Sequence, residues 1–306
     1  MRLVFAGTPE PAVASLKELI ESRHEVVAVL TRPDARKGRG RTLHPSPVKA
    51  LAEEHGIEVL TPATLKDNEE IRQRLRDLAP DCIPVVAYGN LIPADMLDIP
   101  THGWVNLHFS LLPNWRGAAP VQHAILNGDA DTGATVFRID EGLDTGDILH
   151  VLAEPAASDI TADELLGHLA VSGAATLVET MDRLEDGTIE PTPQPEEGTY
   201  APKITVEQAR IDWTQPADIV DRAIRAYTTA PGAWTTLGGE RVKVDRVTPT
   251  DAADLAPGEV AASKKEVRVG TGTSDVVLSR IQPPGKKMMV AADWARGVDT
   301  EGMVFE

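Results

Sequence analysis

The 306-residue chain contains one cysteine, Cys82. That excludes an internal disulfide and leaves no cysteine metal cluster. No apolar run approaches the length of a membrane span. Met1-Arg2 leads straight into a short strand-like run, without the pattern of a secretory leader. A soluble cytoplasmic protein with no membrane partner is expected. The sequence also lacks G-x-G-x-x-G spacing and a P-loop, so its start carries no signature of NAD and no phosphate cradle of that kind. Metal-ligand spacing is absent as well, and no metal is expected. What remains is a composition of globular type, long enough for one large or two ordinary domains with cores.

The net charge of −17 argues at first against a polyanionic partner, but the charge is segregated. Between positions 32 and 49 stand Arg32, Arg36, Lys37, Arg39, Arg41 and Lys49 against one acid, Asp34. Between 154 and 199 there are eleven acids and one base, Arg183. The stretch 32–47, with Pro33, Gly38, Gly40, Pro45 and Pro47 among its bases, reads as a loop without regular structure. Phosphate contact is one meaning of such a loop, with Arg39 flanked by two glycines. A solvated loop that binds nothing is the other.

Hydrophobic periodicity supplies the frame. Leu3-Val4-Phe5-Ala6 reads as a buried strand. Val13, Leu16, Leu19 and Ile20 mark a helix, and the run 25–31 a second strand covered on both faces. Strand, helix, strand suggests a right-handed crossover. A helix at 48–54, a strand at 57–60, a helix carrying Ile71, Leu75 and Leu78, and a strand at 82–87 continue the alternation. Pro84 is awkward inside that last strand. Cys82 reads as a core residue there and not as a nucleophile.

The stretch 105–116, Val-Asn-Leu-His-Phe-Ser-Leu-Leu-Pro-Asn-Trp-Arg, carries the chemistry. Alternation along a strand sends Asn106, His108 and Ser110 to one face and Val105, Leu107 and Phe109 to the other. A carboxamide, an imidazole and a hydroxyl at a strand end suit acyl or proton transfer. They could equally satisfy backbone groups where the strand leaves the sheet. Further on, a helix at 118–126 and a strand at 133–140 lead into the glycine-interrupted acidic loop 141–147. Asp144 and Asp147 there either cap turns or orient a histidine.

Taken together, Asn106, His108, Ser110-Leu111-Leu112-Pro113, Arg116-Gly117-Ala118-Ala119-Pro120 and Asp140-Glu141-Gly142-Leu143-Asp144-Thr145-Gly146 resemble the 10-formyltetrahydrofolate-dependent formyltransferases. Phe5-Ala6-Gly7-Thr8-Pro9, Gly38-Arg39-Gly40, Pro45-Ser46-Pro47-Val48-Lys49, Tyr200-Ala201-Pro202-Lys203-Ile204, Ile211-Asp212-Trp213, Pro231-Gly232-Ala233-Trp234 and Pro284-Gly285-Lys286-Lys287 are similar to the members acting on initiator methionyl-tRNA. Pro11 and Pro84 depart from the family pattern and bear on local packing. The resemblance implies an α/β architecture: a Rossmann-like formyltransferase domain over 1–189, a linker over 190–206, and a C-terminal OB-like β-barrel over 207–306 that holds tRNA. It implies catalytic roles for Asn106, His108 and Asp144. Folate contacts would come from Ser110, Leu111, Leu112, Pro113, Tyr88, Gly89 and Asp140, and tRNA contacts from Arg39, Arg41, Lys37, Lys203 and Lys286. Its co-substrate would be 10-formyltetrahydrofolate, with no tightly bound cofactor, and a monomer is expected. Rival readings are a formyltransferase for a small amine such as glycinamide ribonucleotide or an amino sugar, and a non-enzymatic RNA-binding protein on the same scaffold.

The C-terminal third reads consistently with a second domain. Thr161 and Glu164 form a capping-box pattern before a helix carrying Leu165, Leu166, Leu169 and Leu177. Pro216 opens a short helix with Val220, Ile224 and Tyr227 on one face. Strand-like runs recur near 235–237, 242–247, 259–261, 267–269 and 276–281, as in a small barrel. Lys264, Lys265, Arg268, Lys286 and Lys287 either contact phosphates or form a solvated barrel surface.

Overall fold

The computed structural model describes residues 1–37 and 42–306. They form two compact units: residues 1–117, 131–155 and 166–201 in one, residues 118–130, 156–165 and 202–306 in the other.

The first unit is built on β1 (Arg2–Gly7), α1 (Glu10–Glu21), β2 (Glu25–Leu30) and a small hairpin, β3 (Ala35–Lys37) with β4 (Thr42–His44). Next come α2 (Pro47–Glu54), β5 (Glu58–Leu60), α3 (Glu69–Leu78), β6 (Ile83–Val86), α4 (Ala94–Leu97) and β7 (Trp104–His108). In the second unit α5 (Pro120–Asn127) intervenes before β8 (Asp131–Arg138) and β9 (Ile148–Pro155). The sheet order is β5-β2-β1-β6-β7-β8-β9. The first five strands are parallel; β8 and β9 are antiparallel additions at one edge.

This is the Rossmann-like alternation expected, and its reason is visible in the burial. Leu3, Val4, Phe5 and Ala6 are all fully buried, as a parallel strand covered on both faces must be. Val4, Ala6, Ala28, Leu30, Ile83 and Val85 pack with Leu75 and Leu78 of α3 into one core that also holds Trp104. The Trp104 indole donates to Met96 O at 2.8 Å, so no polar atom of that large side chain is left unmet. Pro84 does lie in a central strand. The ladder survives through its neighbours, Ile83 opposite Trp104, and Val85 opposite both Asn106 and Ala6.

Two expectations need correcting. The stretch 32–47 is not without regular structure, since Ala35 to Lys37 and Thr42 to His44 pair as a hairpin. Residues 192–201, read as linker, run along the first unit. Thr192 exchanges two 2.8 Å hydrogen bonds with Ile148, and Arg116 N donates to Thr199 O at 2.9 Å while its carbonyl accepts from Ala201 N at 2.7 Å. Both are tertiary pairings of short segments with no periodicity of their own to announce them.

α6 (Ala162–Glu185) opens on the capping box, with Thr161 N donating to Glu164 Oε2 at 3.0 Å. In the body of the helix Gly173 sits against Leu107 and Ala134, close enough that a β-carbon would stand 3.1 Å from Leu107. β7 is thereby backed by helix.

The second unit contains α7 (Ala217–Tyr227), whose Val220, Ile224 and Tyr227 are buried, and an antiparallel sheet. Its strands are β10 (Trp234–Leu237), β11 (Glu240–Pro249), β12 (Val260–Ala262), β13 (Val267–Val269), β14 (Val276–Gln282) and β15 (Met289–Val290), followed by α8 (Ala291–Ala295). The order β10-β11-β14-β13-β12, with β15 on β14, is the half-barrel of an OB-like fold. Alternating valines fill its inside, and Phe305 stacks between Trp213 and Trp294. No helix among the described residues is long and apolar enough to cross a membrane.

Candidate active site

β7 ends at His108, and this limit decides which side chains project together. Asn106 and His108 are two apart within the strand and share a face. Ser110 lies beyond the strand, where alternation no longer applies. Its hydroxyl is buried and donates to Asn114 O at 2.6 Å, and its carbonyl accepts from Thr135 Oγ1 at 2.7 Å. Thr135 sits directly opposite His108 on β8 and also receives Leu112 N at 3.1 Å. The 110–114 turn, with its cis Leu112–Pro113 peptide, is thus anchored to the strand next door.

His108 is 7% exposed. Its Nε2 lies 2.8 Å from Trp115 O; a carbonyl only accepts, so Nε2 carries the hydrogen. That leaves Nδ1 as the open nitrogen of the neutral ring, and it faces Asp144 Oδ2 at 3.8 Å. Burial lowers the histidine's pKa below its ordinary value, against the opposing pulls of the Asp144 carboxylate and the Trp115 carbonyl. The ring rests neutral at neutral pH. Asn106 is half-buried, and its carboxamide makes no side-chain hydrogen bond among the described residues.

Asp144 arrives from the loop between β8 and β9. Its Oδ2 accepts from Gly117 N at 2.7 Å. Gly117 holds φ 114° with its α-carbon against Ala201 O, a place where no β-carbon fits. The loop closes on itself: Asp140 Oδ1 accepts from Gly142 N at 2.9 Å and Thr145 Oγ1 at 2.8 Å, and Arg138 N donates to Asp147 O at 2.9 Å. Three non-glycine residues at the ends of neighbouring segments have left-handed backbones: Ala87 (φ 48°), Trp115 (φ 61°) and Asp144 (φ 55°). Such conformations persist only where the surroundings impose them, and they gather at functional sites.

The remaining sequence-based candidates are distributed unevenly. Tyr88 follows β6, but its ring lies in the core, with its hydroxyl accepting from Asn90 and its carbonyl from Thr8. Gly89 is exposed with φ 85°. Leu111 packs against Gly133, Leu112 is buried, and Pro113 O accepts from Thr199 N at 3.2 Å. Asp140 stands apart: it lines a cavity of about 510 Å³ with His102, Gly103 and Arg138, at the opposite end of β7 from His108. Arg39 and Arg41 lie outside the described residues, and Lys37 closes β3. Lys203 and Lys286 are exposed in the second unit.

Some basic side chains are already engaged. Lys49 bonds Asp34 at 2.8 Å, Arg32 bonds Asn90 and Ala63 O, and Arg268 sits between Asp254 and Asp275. Two cations not anticipated from sequence are Arg210 and Arg241, whose guanidinium carbons stand 5.7 and 4.0 Å from the Trp234 ring centre. Arg116 and Gln194, discussed below, carried no sequence signal as a pair because 78 positions separate them.

Residues 1–181 match the family described as formyl transferase, and residues 203–299 match the formyl transferase C-terminal domain. A two-domain formyl transferase is the class that the fold and these matches define. Among curated relatives, methionyl-tRNA formyltransferase of Corynebacterium aurimucosum is 62% identical over 98% of this chain and 96% of its own. That of Streptomyces coelicolor is 59% identical over 99% and 98%. The chain therefore belongs to the methionyl-tRNA formyltransferase family.

Solved structures extend the likeness of fold. WlaRD, a sugar 3N-formyl transferase, superposes with TM-score 0.70 at 17% identity over 94% of this chain and 99% of its own. HypX from Aquifex aeolicus, in complex with tetrahydrofolic acid, gives 0.67 at 21% identity over 96% of this chain. The chain spans about half the length of HypX, 46% in that structure.

Proposed function

We propose that this protein transfers the formyl group of 10-formyltetrahydrofolate to the α-amino group of methionine on initiator methionyl-tRNA, in the cytoplasm and for translation initiation. The observation that carries the reaction is the His108 environment. A neutral imidazole has one nitrogen committed to Trp115 O, the other open toward Asp144, and an unengaged carboxamide on the same strand face.

The α-amine attacks the formyl carbon, forming a C–N bond and a tetrahedral centre whose oxygen bears the negative charge. Asn106 Nδ2 donates to that oxygen, a role that suits a carboxamide without a prior partner. His108 takes the ammonium proton at Nδ1, and the imidazolium is stabilised by Asp144 on one side and the Trp115 carbonyl on the other. The bond from carbon to N10 of the folate then breaks, and N10 recovers a proton through His108 and a water ordered by Asp144. Ser110 acts by holding the 110–114 turn. Backbone groups at 87–91 and at the Asp144 end of the 140–144 loop hold the pterin, with Leu111, Leu112 and Pro113 beside it. No metal and no covalent enzyme intermediate is used.

Residues 1–189, with the 192–201 segment packed on them, supply the chemistry in this reading, and 207–306 hold the tRNA, in a monomer. Lys37, Arg39 and Arg41 contact acceptor-stem phosphates, and Lys203 and Lys286 serve the second unit. Arg210 and Arg241 add a stacked cationic pair there. Family membership supports the substrate assignment.

The test offers 10-formyltetrahydrofolate with charged initiator tRNA, elongator methionyl-tRNA and glycinamide ribonucleotide in parallel. Formylation of the initiator tRNA alone is expected. Formylation of only the small amine would retain the site chemistry and discard the tRNA.

A further inference from the structure

Three consecutive residues hold the His108–Asp144 pair. Trp115 offers its carbonyl to His108 Nε2 (2.8 Å), Gly117 gives its N–H to Asp144 Oδ2 (2.7 Å), and Arg116 stands between them. Arg116 is 1% exposed, yet among the described residues no carboxylate lies within ion-pair range of it. Its partners are neutral oxygens: Gln194 Oε1 from Nε and Nη2 (3.4 and 3.0 Å), Pro195 O from Nη2 (2.9 Å) and Glu196 O from Nη1 (3.2 Å). A buried guanidinium without a counter-ion is expensive to keep, and its survival implies surroundings built to hold it.

Gln194 passes the tether onward. A guanidinium can only donate, so the oxygen of the Gln194 amide must face it and the NH2 group must face the other way. That NH2 group donates to Asp144 O at 3.0 Å and to Gly146 O at 2.7 Å. Asp144 is therefore gripped twice, at its carboxylate by Gly117 and at its carbonyl by Gln194, while its φ of 55° is one that side-chain-bearing residues rarely adopt. The backbone of Arg116 is itself fixed in both directions, to Thr199 O and from Ala201 N.

We propose that Arg116 and Gln194 form a positioning clasp that sets the separation and orientation of Asp144 relative to His108 in formyl transfer. This rests on the catalytic reading given above. Neither residue touches the reacting atoms. Arg116 orients the Gln194 amide, and Gln194 pins the loop backbone where it would otherwise relax from its left-handed turn. A carboxylate in place of Gln194 could pair with Arg116 but could not donate to the two carbonyls, so the grip on Asp144 depends on an amide at this position.

The test is a double-mutant cycle of Gln194→Met, which keeps volume but has no amide, with Asp144→Asn. For positioning, Gln194→Met should lower kcat by about ten- to a hundred-fold, with KM for both substrates little changed. In the Asp144→Asn background it should cost less than about twofold further, because the two act through one group. In parallel, the titration midpoint of the His108 imidazole, followed by NMR, should fall in Gln194→Met toward its value in Asp144→Asn, a readout independent of turnover. Unchanged kcat in Gln194→Met, equal losses in both backgrounds, or a rise in KM without loss of kcat would each overturn the clasp. So would a His108 midpoint equal to wild type in a folded variant. If Asp144→Asn alone left kcat untouched, the catalytic reading would fall first and the clasp with it, which the cycle distinguishes from failure of the clasp alone.

Discussion

Removing the charge of Asp144 while keeping its shape, by Asp144→Asn, has a consequence opposite to that of most active-site damage. At 3.8 Å from His108 Nδ1, a full imidazolium–carboxylate pair attracts by about 4 kcal/mol at an effective dielectric of about 20. Asp144 is 16% exposed, and water reaching it screens part of that attraction. Burial already holds the histidine below its ordinary value, and the carboxylate opposes that lowering. The substitution removes the carboxylate that opposes the lowering, and so drops the His108 pKa further. His108 accepts a proton only while neutral, so the acid limb of the kcat–pH profile moves to lower pH. Peak turnover meanwhile falls about ten- to a hundred-fold, because the imidazolium formed during transfer has lost its counter-charge. A pH–rate series on single-turnover formyl transfer, beside NMR titration of the imidazole, measures both. An acid limb that stayed in place or moved upward, or a variant of normal turnover, would refute the electrostatic role assigned to Asp144.

Other outcomes follow from the same geometry. Gly146→Ala should disorder the Asp144 loop and cost at least tenfold in kcat, because a β-carbon there would overlap the Arg138 carbonyl oxygen; normal turnover would mean the loop shifts freely. The Cys82 thiol, fully buried and pushed up to about 12, should resist thiol reagents in the native protein and react at once on unfolding. His24 and His108 both have pKa values lowered by burial. Below about pH 6.5 the unfolded chain binds protons that the folded chain refuses, so stability should fall with acidity from there until the lowered folded values are passed. Denaturant melts that were flat from pH 7 to 5 would contradict this. Arg39→Ala should weaken kcat/KM for tRNA and reduce its salt dependence by about one phosphate contact, while the rate at saturating tRNA holds; unchanged salt dependence would remove Arg39 from the interface.

Local pattern alone carried much of this molecule. The β-branched and aliphatic runs at 3–6 and 25–31 could bury both faces only as parallel strands, and the 3.6-residue spacing of Leu16, Leu19, Leu75 and Leu78 left one face for the core. Thr161 with Glu164 marked a helix start because a capping box satisfies its own backbone within four residues. Asn106 and His108 were recognisable together because a strand repeats every two residues. Ser110 shows the limit of that rule: the strand ends at His108, and where it ends depends on Thr135 in a different strand. Whether Asp144 reaches His108 was likewise open from sequence. The answer depends on Gly117 and on Gln194, fifty residues further along, where hydrogen bonds between distant segments set the distance. The hairpin in the basic stretch and the strap at 192–201 escaped notice for the same reason, since short extended segments with no apolar period acquire their form only from a partner. Sequence by itself determined which residue types were present for acyl transfer and which strands would bury. The tertiary structure decided which of those residues face one another, because burial follows local periodicity whereas the His108–Asp144 geometry is set by contacts between segments far apart in the chain.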